Sequence, residues 1–165
     1  MRKESGFTLV EMVIVMVIIA IGAAIAIPNL ISWLPNYRLR SATQDLFNNI
    51  QLAKLTAIKQ NTNCAVTFPA DGSGYTVFVD ADDDFNHDSG EEIKPTVLWA
   101  QYNGDVSVTG NTFDASTGQP TFAFQPSGLT TDNGGGFANG TVSLDNTNGR
   151  NTSVVVSQAG HIRIP

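Results

Sequence analysis

The sequence predicts an α+β fold: one long amino-terminal helix, transmembrane and then amphipathic, on an antiparallel β domain of about six to eight short strands in one or two sheets. Three observations carry that expectation. Leu9 to Ile27 is apolar apart from Glu11. Leu39, Ala42, Leu46, Ile50, Ala53 and Ala57 recur at spacings of three and four. From Asn61 onward the chain turns to Thr, Val, Gly, Asn and Asp in short alternating runs. With 165 residues it holds one domain of ordinary size plus an amino-terminal appendage. The segments are residues 1–6, a short charged lead-in; 7–27, a spanning helix; 28–60, an amphipathic helix continuing into the domain; and 61–165, the β domain.

The lead-in contains Arg2 and Lys3. Basic residues ahead of an apolar run hold that end on the cytoplasmic side, so the carboxyl end is the exported one. A secretory signal peptide also starts basic, but a cleavage site and polar mature chain follow its apolar stretch. Here the apolar run leads into Pro28-Asn-Leu-Ile-Ser-Trp33 and more helical pattern. At ~1.5 Å per residue, residues 7–27 make a helix of about 30 Å, the thickness of a bilayer hydrocarbon core. Glu11 is the anomaly within it. A carboxylate in a spanning segment costs at least ~2.5 kcal/mol, and it persists where it has a partner or a function, unless it snorkels to the interface.

The amphipathic stripe predicts helix from about Asn29 to Lys59, with Pro35 as a kink or as the first turn of a second segment. Strands are expected at Cys64–Phe68, Tyr75–Asp80, Thr96–Ala100, Val106–Val108, Thr121–Phe124, Thr141–Leu144, Thr152–Ser157 and His161–Ile164. Turns are expected at Asp71-Gly72, Asn103-Gly104, Pro126-Ser-Gly128, Asn139-Gly140 and Asn148-Gly149. The glycine-rich stretch from Asn133 to Gly140 reads as a mobile loop, since it lacks the lysine and flanking elements of a phosphate-binding loop.

Gly6, Phe7, Thr8, Leu9 and Glu11 together resemble the processing site of type IV prepilins and type II secretion pseudopilins. The resemblance implies a leader, residues 1–6, cut after Gly6 by a prepilin peptidase that then N-methylates Phe7. It also implies that Glu11 neutralises the amino terminus of a neighbouring subunit, and Pro28 matches a recurrent family proline. A carboxylate and an ammonium in a dry helical bundle each find in the other the partner that lipid denies them. Within that superfamily the chain is most similar to the H-type minor pseudopilins (GspH) and the FimT-like minor pilins. The residues that carry this are Ala53-Lys54 with Ala57-Ile58, Phe124-Gln-Pro-Ser-Gly128, and Val154-Val-Val-Ser-Gln-Ala-Gly160-His-Ile-Arg163. The implied function is that of a minor pseudopilin in the periplasmic pseudopilus of a type II secretion system. The alternative is a minor pilin of a type IV pilus. Implied partners are other pilin or pseudopilin subunits, the prepilin peptidase, and an inner-membrane assembly platform with a cytoplasmic ATPase. The implied location is the bacterial inner membrane, single-pass with a periplasmic domain, and then a filament. A plain single-span binding module would leave Gly6, Phe7 and Glu11 unexplained.

Seven of the fifteen acidic residues fall between Asp80 and Glu92. Asp80, Asp82, Asp84, Asp88 and Glu91 take positions 1, 3, 5, 9 and 12 counted from Asp80, the spacing of oxygen ligands in a calcium loop. Phe85 stands at position 6, where the sharp turn wants glycine, and strands flank the loop. Two readings stay open, a strand-flanked calcium loop and a solvated acidic tip; no other cofactor is indicated. His87 and His161 have no serine elbow or paired ligand spacing around them, so no enzyme activity is expected. They read as a solvated loop residue and a strand-surface residue. The single cysteine, Cys64, excludes an intramolecular disulfide and reads as a small buried strand residue. The net charge is −6, and beyond residue 60 only Lys94, Arg150 and Arg163 face twelve acidic residues. Tight DNA binding is therefore not expected, since it needs clustered cations; Arg150 and Arg163 could form at most a weak patch across adjacent strands.

Overall fold

The computed structural model describes residues 6–88, 90–116 and 118–165. The basic lead-in of Arg2 and Lys3 lies outside the described residues. A single helix, α1, spans Leu9–Gln60 and takes in both Pro28 and Pro35. A proline lacks the N–H that would bond four residues back, so the carbonyls of Ala24 and Ile31 lose their helical donors, yet the helix is not divided there. The chain forms two compact units, one ending at Leu34 and one running from Pro35 to Pro165.

In the first unit the helix presents apolar side chains to its surroundings on every side. Its most apolar window has a mean hydropathy of 2.8 and none of that window is buried in the protein. A helix apolar all round needs an apolar medium or other helices to cover it.

In the second unit the helix is amphipathic. Leu39, Ala42, Leu46, Ile50, Ala53 and Ala57 are all buried, as their spacing predicts, and Pro35, Thr43 and Asn49 join them. They cover two antiparallel sheets. The first has the order β3-β2-β1-β5-β6, with β1 Asn63–Thr67, β2 Gly74–Asp80, β3 Glu92–Leu98, β5 Thr121–Phe124 and β6 Thr130–Thr131. The second has the order β4-β7-β8-β9, with β4 Val106–Asn111, β7 Gly140–Asn146, β8 Asn151–Val156 and β9 Ile162–Arg163. Cys64, Val66, Tyr75, Phe122 and Phe124 from the first sheet and Val142, Leu144, Val154 and Val156 from the second share one apolar core with the helix stripe. Strand β7 alternates buried and half-buried residues, so one face is inside.

The expected strands are present, with three differences. β3 starts at Glu92, and Trp99–Tyr102 forms a 3-10 turn in place of the strand end. Here the backbone must turn at Asn103, which takes a φ of 61°. β6 was not expected; its two threonines carry no alternating apolar signal. Asn139-Gly140 is not a turn, because Gly140 opens β7 opposite Val156. A Cβ there would lie 2.5 Å from the Phe113 ring, so the glycine answers to close packing. The glycine-rich stretch is organised by Asp132, whose carboxylate accepts the N–H groups of Gly134 and Gly136.

β1, β2 and β5 are buried on both faces. On the side away from the helix, Ala65, Phe78 and Ala123 form a small second core closed by Phe85 from the acidic loop. Leu46 is fully buried at the centre of the helix stripe. Leu46→Ala in a fragment of residues 35–165 should lower unfolding free energy by about 2–5 kcal/mol in urea titrations. A loss below about 1 kcal/mol would contradict the proposed core.

Candidate functional site

The first candidate region is the amino-terminal end of α1. Thr8 is its N-cap: the Thr8 hydroxyl accepts the N–H of Glu11 at 3.2 Å, and the Thr8 carbonyl accepts the N–H of Met12 at 3.2 Å. Thr8-x-x-Glu11 is thus the start of a capping box, a signal that the sequence itself carries ahead of the apolar run. Glu11 sits in the first turn, where a negative charge favours the helix dipole. Gly6 lies just ahead with nothing within 4 Å of where a side chain would begin. Phe7 is 74% exposed. Pro28 lies inside α1 and is exposed.

The second region was not legible as a site, although its residues carry the subfamily resemblance. The Lys54 ammonium on α1 donates to the Gly160 carbonyl at 2.9 Å. A Cβ on Gly128 would sit 3.4 Å from both Lys54 Cε and Ile58 Cδ1, and a Cβ on Gly160 would fall 2.0 Å from the Gly128 carbonyl oxygen. Both glycines have positive φ, 79° and 71°. Three segments far apart in the chain are therefore one structure: two turns pressed together and latched to the helix. Thr130, fully buried, places its hydroxyl within reach of the carbonyls of Ala138, Ser157 and Gln158, one of which its single proton serves at a time.

The third region is the acidic loop between β2 and β3. Asp80 ends β2 with no exposed surface. Its Oδ1 accepts the Asp84 N–H at 3.1 Å, while Oδ2 has no hydrogen-bond partner. One carboxylate oxygen from each of Asp80, Asp82 and Asp84 lies within 4.8 Å of the others. Burial pushes the Asp80 carboxyl up to about 6. Backbone N–H groups of Phe85 and Asp84 oppose that rise, and the charges of Asp83 and Asp84 add to it. Asp88 and Glu91 are outside this group. Glu91 instead accepts the backbone N–H groups of Ala81 and Asp88, closing the loop on itself. Phe85 takes the left-handed conformation that glycine would have supplied, with a φ of 63°, and anchors its ring beneath the loop.

The other polar candidates have structural roles. His87 pairs with Glu92 at 3.1 Å and sets its ring edge-on to Phe78. His161 is exposed, with its N–H on the Ser157 hydroxyl. Cys64 is buried, and burial, then the charge of Asp80, pushes its thiol up to about 12. Arg163 stands opposite Val155, whereas Arg150 precedes the far end of β8, so the register does not set them side by side.

A family profile described as type II transport protein GspH matches residues 42–160. The chain belongs to the GspH family. A second profile, the prokaryotic N-terminal methylation motif, matches residues 1–27. Among curated proteins none matches the chain in sequence. Solved structures that share its fold include a minor pseudopilin and a minor pilin. The minor pseudopilin EpsH of the Vibrio cholerae type 2 secretion system has a TM-score of 0.55 at 13% identity, covering 78% of this chain and 96% of that one. The Pseudomonas aeruginosa type IV minor pilin FimU has a TM-score of 0.54 at 18% identity, covering 77% and 92%. The fold alone does not separate secretion from pilus; the family match does. This GspH-family protein is a minor pseudopilin of type II secretion, a structural subunit of filaments built with other pilin-like chains.

The matched residues take in all three parts of the latch, Lys54, Gly128 and Gly160. Lys54→Met keeps the apolar stem and removes the donor to Gly160, and should cost about 1.5–3 kcal/mol in urea unfolding of residues 35–165. Gly160→Ala, which meets the Gly128 carbonyl at positive φ, should cost at least as much. Unchanged midpoints for both would refute the latch.

Proposed function

We propose that this minor pseudopilin waits in the inner membrane, anchored by residues 7–27 with its β domain in the periplasm, and is then drawn into a short filament that drives protein export. The observation that carries the reading is the junction at Gly6, Phe7 and Glu11: an unencumbered glycine, an exposed residue beyond it, and a capped helix start bearing the one acidic side chain of an otherwise lipid-compatible run. A prepilin peptidase acting on the cytoplasmic side cuts between Gly6 and Phe7 and methylates the new amino terminus. An assembly platform, worked by a cytoplasmic ATPase, then moves the apolar helix from lipid into a bundle of neighbouring helices.

The work is mechanical. Extraction exchanges lipid contacts for packing against other subunits, which sets register only weakly, because lipid tails are as apolar as the side chains. Glu11 supplies the directional element. Its carboxylate meets the positive amino terminus of a neighbour in a dry bundle, where an unpaired charge is costly, so a subunit seats at one height. Pro28 interrupts the hydrogen-bond ladder of α1 where the apolar run ends, and we assign it to adjusting the helix within the bundle.

Two experiments test this. Amino-terminal mass spectrometry of the membrane-extracted protein from a host with the peptidase should find methyl-Phe7; an intact Met1 start would exclude the processing step. Glu11→Ala should still reach the membrane, since an apolar replacement favours insertion, but should abolish recovery in sheared filaments and secretion by a deletion strain. Full complementation by that variant would remove Glu11 from assembly.

A further inference from the structure

We propose that Asp80, Asp82 and Asp84 form a calcium site that fixes the acidic loop onto the outer face of the first sheet. The three carboxylates alone would be a solvated cluster. Asp80 is different in kind. It has no exposed surface, its Oδ1 is turned into the loop by the Asp84 N–H, and its Oδ2 is without a partner. A buried oxygen left unpaired is destabilising, more so if charged, and nothing in β1 or β2 compensates for it. A hard cation would.

The spacing suits calcium. Two oxygens on opposite sides of a calcium ion, each about 2.4 Å from it, are about 4.8 Å apart, and adjacent ligands are closer. The oxygens of Asp80, Asp82 and Asp84 fall within that limit of one another. Magnesium demands tighter, near-ideal octahedral placement and keeps its waters, which a set of one buried and two exposed carboxylates does not enforce. The remaining coordination positions would go to water and backbone carbonyls. Three carboxylates carry −3, so a divalent ion relieves their mutual repulsion as well as the orphaned oxygen.

The loop is built to hold this geometry. Phe85 inserts against Ala65, Phe78 and Ala123, Asn63 donates to Asp83 at 2.7 Å, and Glu91 ties the loop's two arms through Ala81 and Asp88. The site does not depend on how the filament is assembled, so it stands or falls separately from that reading.

The test uses the full chain in detergent micelles, stripped with a chelator at pH 7, with calcium and magnesium chloride titrated by calorimetry and thermal unfolding followed in parallel. Saturable calcium binding is expected, with a Kd of about 1 mM or tighter, the range of extracellular modules, and with magnesium at least about ten-fold weaker. Asp82→Asn and Asp84→Asn, both exposed, should weaken calcium at least ten-fold without lowering the calcium-free midpoint, since each removes a charge that repels its neighbours. Asp80→Asn should abolish the response while raising the calcium-free midpoint, since a buried charge is removed. Asp88→Asn should bind like the parent. Absence of saturable binding, binding that survives the Asp82 and Asp84 changes, or its loss in Asp88→Asn would overturn the assignment.

Discussion

The burial of one helix stripe against two sheets is the interaction on which everything else rests. Leu39, Leu46 and Ile50 supply bulk, while Ala42, Ala53 and Ala57 let the sheets approach closely. Polar contacts then fix how the helix lies on them. Asn49 donates to Tyr75 at 2.6 Å, Tyr102 donates to Asp45 at 2.6 Å, Arg38 pairs with Asp105, and Asn146 donates to Asn36 at 2.8 Å. Burial raises both tyrosines above the usual phenol range, and the nearby Asp45 charge contributes to each rise. Both remain neutral at physiological pH, Tyr75 as the acceptor from Asn49 and Tyr102 as the donor to Asp45. Apolar burial is non-directional and would tolerate sliding; these bonds are directional and do not.

The same helix serves two media. Up to Leu34 its side chains face outward and apolar, and from Pro35 it has one buried face. The assembly proposed above uses this division, because it has the first part exchange lipid for neighbouring helices. The second must hold a folded domain through that exchange.

The latch and the acidic loop show two ways of using backbone that lacks regular pairing. At the latch, glycines at positive φ bring two turns into contact and a lysine reaches across to a freed carbonyl. In the loop, Asp83 and Phe85 themselves accept positive φ. Phe85 tolerates that conformation because its ring is buried at the same time, which offsets the cost for a non-glycine residue.

Sequence alone determined the elements and the membrane-facing end. Periodicity of 3.6 and of 2 reads directly into which residues of α1 and of β7 are buried, and the junction at Gly6, Phe7 and Glu11 is contiguous, so no folding was needed to see it. It did not reveal β6, whose two residues pair with β5 only because the latch turn brings them there, or the true role of Gly140, set by the Phe113 ring. Lys54, Gly128 and Gly160 lie in three separate segments. Of five spaced carboxylates, spacing could not tell that Asp80 would be buried and Glu91 would be spent on backbone N–H groups. Those are decisions of tertiary structure, because they depend on contacts between residues distant in the chain, which local pattern does not encode.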